Sequence, residues 1–141
     1  MFQDTNLPNE PNVERNAGDS PQPGSRLSSV RVEVQLPPHT VRTIKFPPNA
    51  RALIGRSEDE EAASDLMLDF APYGGEPNGV SRIHAAISDQ EGQVFITDLN
   101  STNGTRINGL ELVVQRPYRL YEGDELELGS VRLTIIRISR S

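Results

Sequence analysis

From Val30 the chain alternates strictly, with Val30, Val32, Val34 and Leu36 apolar and Arg31, Glu33 and Gln35 polar between them. A two-residue period is that of a strand with one face in a core and the other in water. Runs of the same character recur at Thr40 to Phe46, Arg51 to Ile54, Leu66 to Leu68, His84 to Ile87, Val94 to Leu99, Glu111 to Val114, Glu125 to Leu128 and Val131 to Ile138. Between them stand Pro37-Pro38, Pro47-Pro48, Gly74-Gly75, Asn78-Gly79, Asn103-Gly104, Asn108-Gly109 and Gly123-Asp124. Such pairs either preset φ or release it, which is what a reversing chain requires. The pattern predicts an all-β fold. Evenly spaced short strands with glycine-rich turns favour a two-sheet β-sandwich, with a closed barrel as the second choice. In Val131 to Ile138 the apolar positions slip by one residue between Ile135 and Ile136, so a bulge or burial on both faces is expected there. Glu58 to Leu68 has no sustained 3.6-residue stripe and reads as loop, with room for at most a turn or two of helix.

Residues 1 to 28 break this rhythm. They hold four Asn, four Pro and two Gly against only five large apolar residues, Met1, Phe2, Leu7, Val13 and Leu27. That is too little apolar surface to offset the entropy of ordering the segment, so a disordered tail is predicted over 1–28 and a folded domain over 29–141. A total of 141 residues suits one domain. No cysteine is present, which excludes a disulfide framework and thiolate catalysis, and two histidines, His39 and His84, are too few for a His-rich metal cage. No cofactor is called for. No apolar stretch has the length of a signal-peptide core or a membrane span, and the reading is a cytoplasmic protein. Net charge is −6, with 20 acidic and 14 basic residues, which opposes non-specific attraction to nucleic acid or anionic membranes. An anionic partner has to be met locally. Thirteen of the basic residues are Arg, Lys45 being the exception, and a guanidinium beside a glycine-rich turn can hold phosphate through a planar fork.

Three polar clusters sit in the turns: Ile54-Gly55-Arg56-Ser57, Gly79-Val80-Ser81-Arg82-Ile83-His84, and Asp98-Leu99-Asn100-Ser101-Thr102-Asn103-Gly104-Thr105. Each places short hydrogen-bonding side chains beside backbone that glycine leaves free to approach a ligand. Loops gathered at one end of a sandwich can converge. Together these are the components of an oxyanion receptor.

The order of blocks, Gly55-Arg56, then Ser81-Arg82-Ile83-His84, then Ser101-Thr102-Asn103-Gly104-Thr105 with Asn108-Gly109, then Gly123-Asp124 and Leu128-Gly129, strongly resembles the forkhead-associated (FHA) domain over about residues 30 to 138. Five ordered blocks are far more specific than any one of them. The resemblance implies a sandwich of two twisted antiparallel sheets that reads phosphothreonine in a partner's extended segment with loops at one end. Carried over by position, it makes Arg56 and Ser81 the phosphate ligands. Arg82 becomes a neighbouring contact, Thr102 a supporting loop residue, and Asn103 the amide that holds the peptide backbone. Gly55, His84, Gly104, Asn108 and Gly109 become framework positions that shape the loops. The implied function is non-enzymatic phosphothreonine recognition in Ser/Thr kinase signalling, and the implied partner is a phosphothreonine-bearing protein, a Ser/Thr kinase or its substrate. The alternative is a phosphate-independent scaffold on the same fold.

Physical chemistry supports the same residues. Phosphothreonine carries about −1.5 to −2 charge and three acceptor oxygens near neutral pH, whereas an unmodified threonine offers neither. His84, opening a strand before Ala85, Ala86 and Ile87, reads as a buried, hydrogen-bonded histidine that holds loops rather than a ligand contact. Glu58 to Glu61 reads as a solvated loop able to repel acidic partners, and Tyr73 as packing. A hydrolase built from Ser81, His84 and Asp98 lacks the glycine spacing of a nucleophile elbow. An EF-hand reading of Asp98, Asn100 and Thr102 fails because Asn103 occupies the turn-glycine position and Gly109 the bidentate-glutamate position. Twenty-four residues separate Arg56 from Ser81, and the excess around Ala71 to Gly79 is expected to flank the peptide site. Thr5, in Asp4-Thr5-Asn6, is a candidate regulatory phosphosite through which the chain's own tail could fold back onto the receptor.

Overall fold

A computed structural model describes residues 28–63 and 65–140. The predicted tail, apart from Ser28, lies outside the described residues, and Thr5 with it. Strand β1 (Val30–Leu36) follows the alternation read from the sequence: its four apolar side chains are buried and the residues between them face outward or are half-buried. It pairs with β2 (Thr40–Phe46) on one side and with β11 (Val131–Arg140) on the other. β10 (Glu125–Leu128), β7 (Thr105–Ile107) and β8 (Leu110–Glu111) extend that sheet to six strands in the order β2-β1-β11-β10-β7-β8. The second sheet has five strands, ordered β9 (Tyr118–Arg119), β6 (Gln93–Asp98), β5 (Ile83–Gln90), β3 (Arg51–Gly55) and β4 (Leu68–Asp69). All pairings are antiparallel except β3 with β4.

The inner faces share one core, in which Val32, Val34, Leu126 and Ile135 of the first sheet meet Ile54, Ile87 and Ile96 of the second. This is the two-sheet sandwich expected from the strand rhythm, and the closed barrel is excluded by the separate sheets. The slip in β11 is a bulge: pairing with β1 shifts register between Ile135 and Arg137, so Ile135 stays in the core while Ile136 turns outward. Across the gap between the sheets, Arg140 of β11 pairs with the buried Asp89 of β5, which also accepts the Asn49 backbone N–H at 2.8 Å. Burial pushes the Asp89 carboxyl up, and the Arg140 bond with the backbone N–H bonds outweighs it, so the group is held below the usual carboxylate value.

Element boundaries differ where tertiary pairing decides them. The predicted Glu111 to Val114 strand is Leu110–Glu111 instead: the Leu112 N–H still bonds the Thr105 carbonyl in register, but the Gln115 N–H then turns to the Asp98 carbonyl of the other sheet, and Val113 and Val114 are left exposed. The predicted Leu66 to Leu68 strand begins at Leu68, where parallel pairing with Ile54 sets in. β7 and β9 are too short to show a period in the sequence. One helical turn, α1 (Glu60–Ala63), forms within the segment read as loop.

Candidate functional site

Antiparallel pairing of β3 with β5 sets the site, because it places the end of β3 beside the start of β5 and with it Arg56 beside Ser81 and Arg82. The register shifts between Ile54 and Gly55, and there the backbones approach so closely that a Cβ on Gly55 would sit 2.0 Å from the Arg82 carbonyl oxygen. Only glycine fits. The Arg56 N–H then donates to both the Ser81 and Arg82 carbonyls, at 3.1 and 3.2 Å. Its side chain is fixed as well: Nε donates to the Val80 carbonyl at 2.7 Å, and the side chain is 19% exposed against 71% for Arg82. Arg56 is thus held in place by its own backbone and side-chain bonds, whereas Arg82 is mostly exposed.

Asp69 supports the same turn from below. Parallel pairing sets it beside Gly55, and its carboxylate accepts the Ser57 N–H, the Ser57 hydroxyl and the Ala71 N–H. Burial raises the Asp69 carboxyl, but these bonds prevail and hold it below its ordinary value. Asp69 therefore stays ionised while it anchors the loop.

The third cluster hangs on Asp98, which is 1% exposed. Its carboxylate accepts the Ser101 hydroxyl at 2.6 Å, the Ser101 N–H at 3.1 Å and the Thr105 hydroxyl at 2.6 Å, while the Ser101 Oγ accepts the Gly104 N–H at 2.9 Å. Burial works to raise this carboxyl, and the Ser101 and Thr105 bonds with the nearby His84 ring bring it below the usual value. His84 is fully buried, as its position ahead of an apolar strand predicted. Its Nδ1 accepts the Ser81 N–H at 3.0 Å, which leaves Nε2 to donate to the Gly104 carbonyl at 2.9 Å. The ring is therefore the neutral Nε2–H tautomer joining two loops. Burial lowers its pKa, with Gly104 and Asp98 opposing more weakly.

These supports bring the side chains together. The Ser81 hydroxyl accepts the Thr102 N–H at 3.0 Å, so its own proton is left to donate outward. Arg56, Ser81, Arg82 and Thr102 line one cleft of about 590 Å³, together with Asp65, Leu66, Ile83 and Asn100. Asn103 is not among the lining residues; its amide nitrogen donates to the Gly79 carbonyl at 3.0 Å, leaving its side-chain oxygen to accept. Gly79 has φ +83°, and a Cβ there would meet that amide nitrogen at 2.6 Å, so glycine admits the contact. Asn108 and Gly109 lie apart from the cleft lining. They turn β7 into β8, and Asn108 bonds Asp124 and the backbone of Glu125, so they shape that hairpin.

Four lining residues were not among the predicted contacts. Asn100, with φ 63°, and the half-exposed Ile83 sit inside clusters already singled out, so their signal was present. Asp65 and Leu66 carry no local signal and arrive because the Met67 N–H bonds the Leu53 carbonyl beside β3. Glu58, outside that lining, reaches the same arginines: its carboxylate contacts Arg56 Nη1 at 3.5 Å and Arg82 Nη1 at 3.6 Å. The Ala71 to Gly79 loop folds back on itself through Gly75, Asn78 and Val80 bonds and rests on Ser130, whose N–H donates to the Asn78 carbonyl. Tyr73 packs against the core, edge-on to Phe70 and beneath the Arg42 guanidinium. Ser81, His84 and Asp98 form no catalytic relay, because Nδ1 of His84 takes a backbone N–H, Nε2 takes a carbonyl, and the Asp98 oxygens go to Ser101 and Thr105. Among the described residues there is no cluster of metal-ligating side chains and no helix long and apolar enough to cross a membrane.

A family model described as FHA domain matches residues 52–129. Protein FraH of Nostoc sp. strain PCC 7120 is 44% identical over 87 residues, 61% of this chain, and the chain spans only 29% of FraH's length. Among solved structures, the FhaA FHA domain complexed with the intracellular domain of Rv3910 is 28% identical, with a TM-score of 0.56 over 74% of this chain and 98% of that one. A structure from an analysis of phosphothreonine-dependent FHA domain interactions is likewise 28% identical, with a TM-score of 0.56 over 76% of this chain and 96% of that one.

Proposed function

The chain belongs to the FHA domain family, and from that premise we propose that it reads phosphothreonine in a partner protein, downstream of a Ser/Thr kinase, through the cleft at the β3–β5 end of the sandwich. FHA domains are binding modules, and phosphothreonine-dependent interaction is what the similar solved structure was studied for. The observation that carries the proposal is the convergence of a fixed guanidinium, Arg56, with the Ser81 hydroxyl and the Thr102 loop on one cleft.

In this reading the phosphate sits between Arg56 and Ser81. Arg56 supplies the N–H donors of its two terminal nitrogens with little further ordering, since Nε is already bound, and Ser81 supplies its hydroxyl proton. Arg82, the more exposed of the two arginines, closes on the outer oxygens. Thr102 supports the Ser81 hydroxyl from its backbone, and the Asn103 carbonyl oxygen takes a peptide N–H, which sets register without reading side chains. Hydrogen bonds with one charged partner are worth on the order of 1.5–3 kcal/mol each, and plain threonine makes none of the phosphate's.

A library of phosphothreonine peptides and its unphosphorylated twin, titrated calorimetrically into the full chain, tests this. Binding confined to phosphorylated members is expected. Equal binding of both libraries contradicts it and supports the phosphate-independent scaffold instead.

A further inference from the structure

The sequence reading left Glu58 in a solvated acidic loop, yet its carboxylate spans both arginines of the cleft, Oε2 toward Arg56 and Oε1 toward Arg82. We propose that Glu58 is a tethered competitor for the anion receptor, one that a phosphate displaces and a peptide carboxylate does not. The inference rests on the phosphothreonine reading above, since it assigns the selectivity of that same cleft.

Three observations carry it. First, Glu58 stands two residues after Arg56 on the turn clamped by Asp69, so its effective concentration at the guanidinium is on the order of millimolar or higher. Second, the contacts are ionic rather than tight: 3.5 and 3.6 Å exceed the roughly 2.7–2.9 Å of a full charge-assisted hydrogen bond. The Glu58 side chain is 53% exposed, and pairs of that kind shift an equilibrium only about two- to fivefold. Glu58 is therefore easily moved aside. Third, the charges differ. A carboxylate brings −1, and the phosphate about −1.5 to −2 with a third acceptor oxygen. When a phosphate arrives, the exchange gains charge and hydrogen bonds. When an Asp or Glu of a partner arrives, one carboxylate merely replaces another and the partner's freedom is lost. Glu58 thus weakens every incoming anion by a similar factor, which a phosphate with its extra charge and bonds withstands and a weakly held peptide carboxylate does not.

The test compares the full chain, Glu58→Gln and Glu60→Gln. Glu60 is exposed on α1, forms no ion pair with either arginine among the described residues, and controls for the loss of one negative charge near the cleft. The probes are the tightest phosphothreonine peptide of the library and the same peptide with glutamate in place of phosphothreonine. Glu58→Gln is expected to bind the phosphopeptide about two- to fivefold more tightly than the native chain, and Glu60→Gln to change it less. The glutamate peptide is expected to compete for Glu58→Gln better than for the native chain. Equal affinities of the two variants, or weaker binding by Glu58→Gln, overturn the competitor. A glutamate peptide that competes no better for Glu58→Gln overturns the selectivity. If the native chain and both variants all ignore the phosphopeptide, the phosphothreonine reading itself fails, an outcome distinct from the others.

Discussion

His84 shows how a single buried side chain can tie two loops of the cleft together. Its two ring nitrogens tie the Ser81 loop to the Gly104 loop from a fully buried position, and only the neutral ring can accept the Ser81 N–H while donating to Gly104. Replacement by phenylalanine leaves a donor and an acceptor unpaired, so His84→Phe should cost about 1–3 kcal/mol of stability in urea denaturation. The pH dependence has a definite sign. The folded-state pKa lies below the unfolded value of about 6.5, so unfolding takes up a proton. The contribution is complete above about pH 6.5 and is lost as pH falls from there through the lowered value. Denaturation series across that window should show the native chain weakening on acidification and His84→Phe lacking that part of the slope. A parallel slope in both would show that the ring does not titrate as described. Arg56, Ser81, Arg82, Thr102 and the glycines were legible as a constellation because their chemistry sits in contiguous blocks. The Glu58 contacts were not, since nothing in Ser57-Glu58-Asp59 says which way a carboxylate turns.

Among the elements, the junction of β3 and β5 matters most, because the loops of the cleft are arranged from it. Gly55 lets the Arg82 carbonyl come close enough for Arg56 to bond across, and parallel addition of β4 then delivers Asp69 to brace the turn. Adding one methyl group there meets backbone, which cannot rotate away. Gly55→Ala should therefore lose about 3 kcal/mol or more, the upper end of overpacking costs, read as a lowered urea midpoint. Gly92→Ala, whose Cβ meets nothing within 4 Å though its φ is +83°, should lose less. The reverse ranking would mean that the close approach is not what holds the junction. Strands with strong alternation were readable at this scale: β1 matches the sequence pattern residue for residue, and the β11 slip became a bulge. The short strands β7 and β9 were not, because they exist through their partners rather than through any period of their own.

Over the whole molecule, the two sheets divide the work. Their facing residues form the core, and the Arg140–Asp89 pair ties them together near the β5–β6 turn, at the far end of β5 from Ser81. The cleft end is left to polar loops braced by Asp69, Asp98 and His84. Net charge of −6 gives such a molecule little general attraction for phosphate, so the proposed recognition rests on the local fork of Arg56. The most direct measurement is calorimetric titration of one phosphothreonine peptide into the native chain and into Arg56→Ala. The account predicts a loss of about 1.5–3 kcal/mol, roughly 10- to 150-fold in affinity, with no binding of the unphosphorylated peptide to either protein. Unchanged affinity in Arg56→Ala would contradict it.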